Sequence, residues 1–535
     1  MAKIAKSAKD GIWKEKTGNR GFFAVPFLNF LLPCSSLRSA RYLRYLRCKM
    51  PCLSTDAIVR LPFLGDHAAV AIAFAQLLCV MPSVYPFSAI AYAQLLNHLA
   101  DAAPADLSAV LAPPYDVLDA SGKARLVAKS AHNMVLVDLP HLPAKQLGPA
   151  EAYTSAAALL GEWLATGVLK RREKPCLFAY RQTFVSGGKT VQRSGMIGTL
   201  DVRPFGPAAG GGILPHEETF SGPKEDRLAL MKATRTQLSP IFGLHADEQG
   251  LAAKLVVEVC ARSGPDAKAT TDDGTLHEVW IVEDEPTVAR YQSALAGQDV
   301  FIADGHHRYN TALNYLRELE AAGSVAADHQ ARRCMFVLIS MADAGLVIWP
   351  THRVLGGMKG YSRDAFIAAA GKYLVLEPIA GGLEATAKAM EDLEGMGPGR
   401  FGLFDVASGH GYVAIPGGVD PLQARFASKP KAWRDLTVAF VQHVLVEEVC
   451  QPKLNDGQPI SWAFPHTVAE VAQICKGGET GAGGGKGFVA QLVVLVRATP
   501  LEAVRDVSRA GELMPQKSTF FYPKLATGIA LHGLG

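Results

Sequence analysis

Hydrophobic positions along this chain fall into two alternating patterns. From about residue 83 onward, short continuous apolar runs alternate with stretches in which apolar residues return every three or four positions, as in a mixed α/β protein. MVLVDL, Met134–Leu139, predicts a buried strand, and Glu151–Gly167 an Ala/Leu-rich helix that stops at glycine. CLFAYRQTFV and TVQRSGMIGTLDV flank Gly187-Gly188, and their polar and apolar alternation about a Gly-Gly turn predicts a β-hairpin. Gly222–Arg235, with Pro223 near its first turn, predicts a helix followed by the strand-like SPIFGLH. Val300–Ala303 predicts a short buried strand, and Ala312, Leu313, Leu316 and Leu319 recur at helical spacing just beyond it. The Gly-rich stretch from Pro378 to Gly402 and the insertion Gly477–Gly487 are expected to be linkers or loops. No period of roughly 20–50 residues repeats, so the chain is not a solenoid or propeller.

The first 80 residues read differently. Lys3, Lys6, Lys9, Lys14, Lys16, Arg20, Arg38, Arg41, Arg44, Arg47, Lys49 and Arg60 face only Asp10, Glu15, Asp56 and Asp66. That bias suits an organelle transit peptide, a flexible basic tail, or a start upstream of a natural one at Met50 or Met81. The apolar run Ala68–Val80 is shorter than the roughly 20 residues that cross a bilayer, so no membrane span is expected. The organisation expected is a basic extension over 1–82, an α/β core over 83–360, and a C-terminal α/β region over 361–535.

Composition narrows the function. Of 535 residues, 49% are hydrophobic and 19% charged, the balance of an ordinary globular chain. Lys+Arg 54 against Asp+Glu 50 leaves a net charge of only +4, which argues against stable nucleic-acid binding by bulk charge. The 9 cysteines are scattered and contain no C-x-x-C pair, so neither a disulfide framework nor a zinc module is predicted, and an intracellular, reducing home is expected. That home is the cytoplasm, or an organelle if the extension is a transit peptide.

The densest candidate chemistry lies in VFIADGHHRYNTALNYLRELEAAG, Val300–Gly323. Asp304-Gly305-His306-His307-Arg308 occupies the turn between strand and helix, where helix N–H groups attract phosphate and Gly305 permits close backbone approach. Arg308 can fork onto phosphate oxygens, and Asp304 is a candidate proton acceptor. The bland alternative is that Asp304 caps the helix and the histidines bond to backbone. In the second cluster, His216, Glu217 and Glu218 precede Ser221-Gly222-Pro223, and Lys224, Asp226, Arg227 and Arg235 follow on one helix, a set suited to an anion and a metal. Lesser clusters are APPYDV with Tyr115 and Asp116, PTHR with His352, and MPQKSTFFYPK with Lys517, Ser518 and Thr519. The glycine insertion is not a phosphate loop, because Thr480 and Gly487 stand where that loop needs glycine and Ser/Thr.

In the same order, APPYDV, PHEETFSGPKEDRLALMKATRTQLSPIFGL, TDDGTLHEVW, IADGHHRYNTAL, PTHRV and GELMPQKSTFFYPKLATGI resemble the domain-of-unknown-function 1015 family over roughly residues 83 to 535. Locally, the DGHHR turn is similar to the phosphate-binding box of ParB/sulfiredoxin-like proteins, and most of all to that of free-serine kinases. The sulfiredoxin box carries cysteine where this chain has His306. The resemblance implies a mixed α+β fold with a ParB/sulfiredoxin-like nucleotide-binding core elaborated by further α/β segments. It also implies ATP or ADP held across the box by Gly305, His306 and Arg308, with Asp304 toward a substrate hydroxyl.

The function expected is a nucleotide-dependent phosphotransferase on a small hydroxylated metabolite, with free serine as one candidate. Asp304, His307, His216 and Glu217 are the expected catalytic groups. Lys224, Arg227, Arg235, Lys517, Ser518 and Thr519 join the box in holding the nucleotide, Tyr115, Asp116 and His352 meet substrate, and Glu217 with Glu218 holds Mg²⁺. Two other classes fit parts of the sequence: a nucleotide-operated, ParB-like regulatory switch, and a metal-dependent hydrolase using His216, His306, His307 and His352. The first lacks a basic helix-turn-helix, and the second lacks any H-E-x-x-H spacing.

Overall fold

The Gly187-Gly188 turn starts the largest sheet of this computed structural model. Both glycines have positive φ, 55° and 72°, as a two-residue turn matched to strand twist requires, and they join Leu177–Ser186 to Lys189–Asp201. The structure describes residues 83–98, 103–208, 211–217, 221–392, 399–418, 420–478 and 487–535. The basic extension, the Ala68–Val80 run, Glu218 and most of the Gly477–Gly487 insertion lie outside the described residues.

Ten strands make the large mixed sheet. From one edge the path runs through Ala105–Asp106, Ala267–Thr270, Leu276–Val282, the two hairpin strands, Arg333–Ser340, Ile241–His245 and Val300–Asp304 to Ile213–Leu214. Val84–Tyr85 pairs beside the longer hairpin strand. The Arg333–Ser340 and Ile241–His245 strands run parallel, whereas Val300–Asp304 runs antiparallel to Ile241–His245. Both faces are covered. Val300 and Ile302 join one apolar core while Phe301 and Ala303 join the other, and Phe336 and Leu338 alternate with Met335, Val337 and Ile339 in the same way. A second sheet of six strands, wholly antiparallel, runs from Leu374–Ile379 to Ser461–Ala463. The fold is thus mixed α+β. Among the described residues no helix is long and apolar enough to cross a membrane.

Two sequence expectations fail. Met134–Leu139 is not a strand but carries the short helix Val135–Asp138, opened by the Asn133 side chain, which accepts the Val135 N–H at 3.0 Å. An apolar run buried on nearly every side has no face to betray its period, and here the Asn133 side-chain turn decides. The Pro378–Gly402 stretch is not simply a linker, because it contains the end of Leu374–Ile379 and the helix Gly382–Asp392. Gly381 and Gly382, at φ 110° and 78°, make the turn into that helix, and Thr386 and Met390 are buried along it.

After the second sheet the chain returns to the first. Phe520–Tyr522 pairs with Val347–Trp349, and Ala112 bridges Thr527. Arg193 of the hairpin, fully buried, fastens this return: its guanidinium donates to the Tyr522 carbonyl at 2.9 Å and the Pro523 carbonyl at 2.6 Å, and packs 4.7 Å over the Phe242 ring. Gln182 donates to the Lys524 carbonyl at 3.0 Å. Burial pushes the Arg193 pKa down to about 10, still charged at neutral pH. Arg193→Leu strands buried carbonyls without donors and is expected to cost about 3 kcal/mol or more, read by urea denaturation. Wild-type stability in that variant would show that Arg193 does not hold the return segment.

Candidate active site

The strand Val300–Asp304 ends at a carboxylate because the next residue must turn the chain. Gly305 has φ 98° and caps the helix His306–Ala322, and a Cβ there would lie 3.1 Å from the Arg308 side chain. Asp304 does not cap this helix. Its Oδ1 accepts from Lys524 Nζ at 2.7 Å, and its Oδ2 from Arg308, whose other amino group donates to the Pro240 carbonyl. All three side chains are mostly buried, at 10–17% exposure, so the ion pairs are poorly screened. Burial alone would raise the Asp304 pKa, but Lys524 and Arg308 outweigh it and hold the carboxyl well below its usual range. Such a carboxylate is a weak proton acceptor. In this geometry Asp304 holds two cations in place.

The second motif meets the first. The His216 backbone N–H donates to His306 Nε2 at 3.2 Å, and the two rings meet edge to face with centroids 4.7 Å apart. His216 Nε2 lies 2.7 Å from Thr519 Oγ1, and Glu217 Oε1 accepts the Ser518 and Thr519 N–H groups at 3.1 and 3.3 Å. Burial lowers the pKa of both histidines. The Ser518 hydroxyl donates to the Pro515 carbonyl. Ser518 and Thr519 thus hold Glu217 and His216, and their groups are not spare for phosphate as the sequence suggested.

Around this centre stands a cationic wall. His307 is half-buried, and burial chiefly lowers its pKa, while Asp116, Lys517, Glu217 and Lys224 all act on it. Lys145, which has φ 70°, feels Asp116, Lys517, Asp304 and Lys524, and the surrounding protein pushes its pKa down. Asp116 has one buried carboxylate oxygen without a hydrogen-bond partner. Among these groups the cations are Lys145, Lys224, Arg308, Lys517 and Lys524, and the carboxylates are Asp116, Asp138, Glu217 and Asp304, so positive charge prevails narrowly. Residues dispersed over some four hundred positions of sequence meet here: Asp304 acts on His216, Asp116, Lys224 and Lys517 act on His307, and Asp116, Asp304 and Lys517 act on Lys145.

Other expected residues are drawn elsewhere. Arg227 is buried and occupied: it donates to Asp226 and to the Asp138 carbonyl at 2.9 and 2.6 Å and packs 4.0 Å over the Tyr115 ring. Arg227 and Tyr115, itself 3% exposed, line a small cavity together with Asp138 and Arg308. Asp226 accepts from Tyr153 and lies 2.8 Å from His141 Nε2. Arg235 lies just past the end of the helix Ser221–Thr234, with φ 47°, and its carbonyl accepts the Leu534 N–H. His352 Nδ1 accepts the Val496 N–H at 3.2 Å, burial lowers its pKa to about 4, and it lines a cavity of about 830 Å³ whose walls share none of the residues above. Among the described residues no three His, Cys, Asp or Glu side chains gather as metal ligands, so the four-histidine hydrolase site is not assembled. Sequence reasoning missed Lys524, although it ends the quoted MPQKSTFFYPK motif. It also missed Lys145, which lies in a loop and carries no motif.

A strand-to-helix turn thus brings a clamped aspartate, buried histidines and several lysines together in this α+β fold. The chain belongs to the family described as "Protein of unknown function (DUF1015)", which matches residues 84–430. No curated protein matches it. Among solved structures it is similar to a free serine kinase in complex with ADP, at 12% identity and TM-score 0.28, over 59% of this chain and 89% of that one. It is also similar to a conserved hypothetical protein from Pyrococcus furiosus (14% identity, TM-score 0.28, 59% and 90% covered) and to SbnI from Staphylococcus aureus (11%, 0.26, 60% and 83%). None of these likenesses carries the functional reading, which rests on the site itself. Asp304→Asn leaves Lys524 and Arg308 facing an uncharged amide in a mostly buried site. It is expected to cost about 3 kcal/mol at pH 7 by chemical denaturation, and a loss under about 0.5 kcal/mol would mean that the pairs are effectively solvated.

Proposed function

We propose that the Asp304 cluster is the active site of a nucleotide-dependent phosphotransferase acting on a small hydroxylated metabolite, free serine being the first candidate acceptor. The observation that carries this reading is the Asp304–Lys524–Arg308 clamp at a helix N-terminus, backed by Lys145, Lys224 and Lys517. Phosphoryl transfer asks mainly for fixed positive charge and positioning, and a carboxylate that cannot easily be protonated keeps two cations fixed. The same arrangement supports a ParB/sulfiredoxin-like core, with phosphates of ATP or ADP over Gly305, His306 and Arg308.

In this reading the metabolite's hydroxyl oxygen forms a bond to the terminal phosphorus while the bond to the leaving phosphate oxygen breaks, and the hydroxyl proton passes to the protein. His307 is the better acceptor for it than Asp304. Burial keeps its imidazole neutral at physiological pH, and Asp116 is placed to stabilise the imidazolium. His216 and His306, deeply buried, position Glu217 and the box and do not exchange the proton themselves. Mg²⁺, which neutralises charge on transferring phosphates, fits here only as an ion carried by the nucleotide and met by Glu217. No resident cage is assembled among the described residues.

The test offers ATP, ADP or CTP with Mg²⁺ to the purified protein with hydroxylated metabolites including serine, and identifies product by mass. A phosphorylated metabolite is expected, reduced at least about a hundredfold in His307→Ala and in Asp304→Asn. Because the His307 pKa lies below its ordinary value of about 6.5, the rate is expected to be level between pH 7 and 8 and to fall only on the acid side. Nucleotide bound tightly with no product from any acceptor would replace this reading with the regulatory switch.

A further inference from the structure

We propose that the apolar pocket beside Lys524 receives the nucleoside end of the ligand whose phosphates lie on the Asp304 cluster. The inference rests on the phosphate-site reading above and adds to it where, and by what chemistry, the rest of the molecule is recognised. The pocket encloses about 280 Å³, close to the lower end of the range of about 300–1,000 Å³ for ligand sites, and is too small for a whole nucleotide. Lys524 lines it and is also bonded to Asp304, so pocket and cluster share a wall. Val117, which lines it too, follows Tyr115 and Asp116 directly.

Polarity changes along this path in the order a nucleotide presents. The Lys524 end is cationic and suits phosphate. Beyond it the lining is apolar and aromatic: Leu118, Leu126, Phe520 and Tyr522. Both rings are already immobilised. Tyr522 stacks on Trp349 at 3.7 Å between centroids, and Phe520 on His466 at 3.6 Å, so a planar base would meet preset surfaces. At the rim Asp272 and Asp273 stand beside Arg125 and Lys129, with Lys129 paired to Asp272, so this end offers both acceptors and donors to sugar hydroxyls and base edges. Lys524 joins the pocket to the Asp304 cluster and the aromatic surfaces lie beyond it, so the ligand's phosphates lie toward Lys524 and its base against Phe520 and Tyr522.

Calorimetric titration of the full chain with ATP and with inorganic tripolyphosphate separates the two ends. Wild type is expected to bind ATP at least about tenfold more tightly than tripolyphosphate. Val117 is 43% exposed, so Val117→Trp fills the pocket mouth without disturbing the core. It is expected to erase the ATP advantage and leave tripolyphosphate binding unchanged, whereas Lys524→Met weakens both. Equal affinities in wild type, or ATP binding untouched by Val117→Trp while Lys524→Met still weakens it, would overturn the pocket assignment and spare the phosphate site. Failure of both probes to bind would overturn both. Should Val117→Trp lower the melting temperature, photo-crosslinking of wild type with an azido-adenine nucleotide decides: label within 108–129 or 520–526 supports the assignment, and label elsewhere overturns it.

Discussion

One ion pair across the fold organises this molecule. Lys524 and Asp304 are 220 residues apart in sequence and 2.7 Å apart in space, and Arg308 closes the other oxygen of the same carboxylate. The strand Val300–Asp304 brings the acid to the edge of the core, and the C-terminal return brings the lysine. Neither is sufficient alone. A buried carboxylate without cations would take up a proton, and two buried cations without it would repel each other and any nearby lysine. Fastening the return segment through Arg193, and through Gln182 on the Lys524 carbonyl itself, is therefore part of building the site.

The surrounding groups follow from this constraint. With Asp304 fixed as an anion, the helix N-terminus behind Gly305 and the lysines around it make a region that attracts phosphate. The histidines divide by burial: His216 and His306 are enclosed and mutually oriented, while His307 stays half-exposed and faces Asp116. Similar side chains thus take different roles because the sheet and the return segment enclose some and leave another at the wall.

Much of this was legible along the chain. The Gly-Gly hairpin, the strand entering the DGHHR turn and the helices after it follow from local period and turn chemistry, and the structure has all of them. What escaped was decided by distant partners. Arg227 reads as a free phosphate ligand until Asp138 is found beside it, and Asp138 lay in the run misread as a strand. Asp304 reads as a base until Lys524 arrives from the far end of the chain. Lys145 has no local signal at all. Its relevance comes only from the loop that carries it to the cluster, a tertiary fact with no periodicity to announce it.

The most direct test of the central claim is a crystal structure of the protein with a non-hydrolysable ATP analogue and Mg²⁺. Terminal phosphates are expected within hydrogen-bond distance of Lys524 and of the first-turn N–H groups after Gly305, with the Asp304–Arg308 contact intact. Phosphates bound away from this cluster, or an Asp304 carboxylate that leaves its two cations to contact the ligand directly, would contradict it.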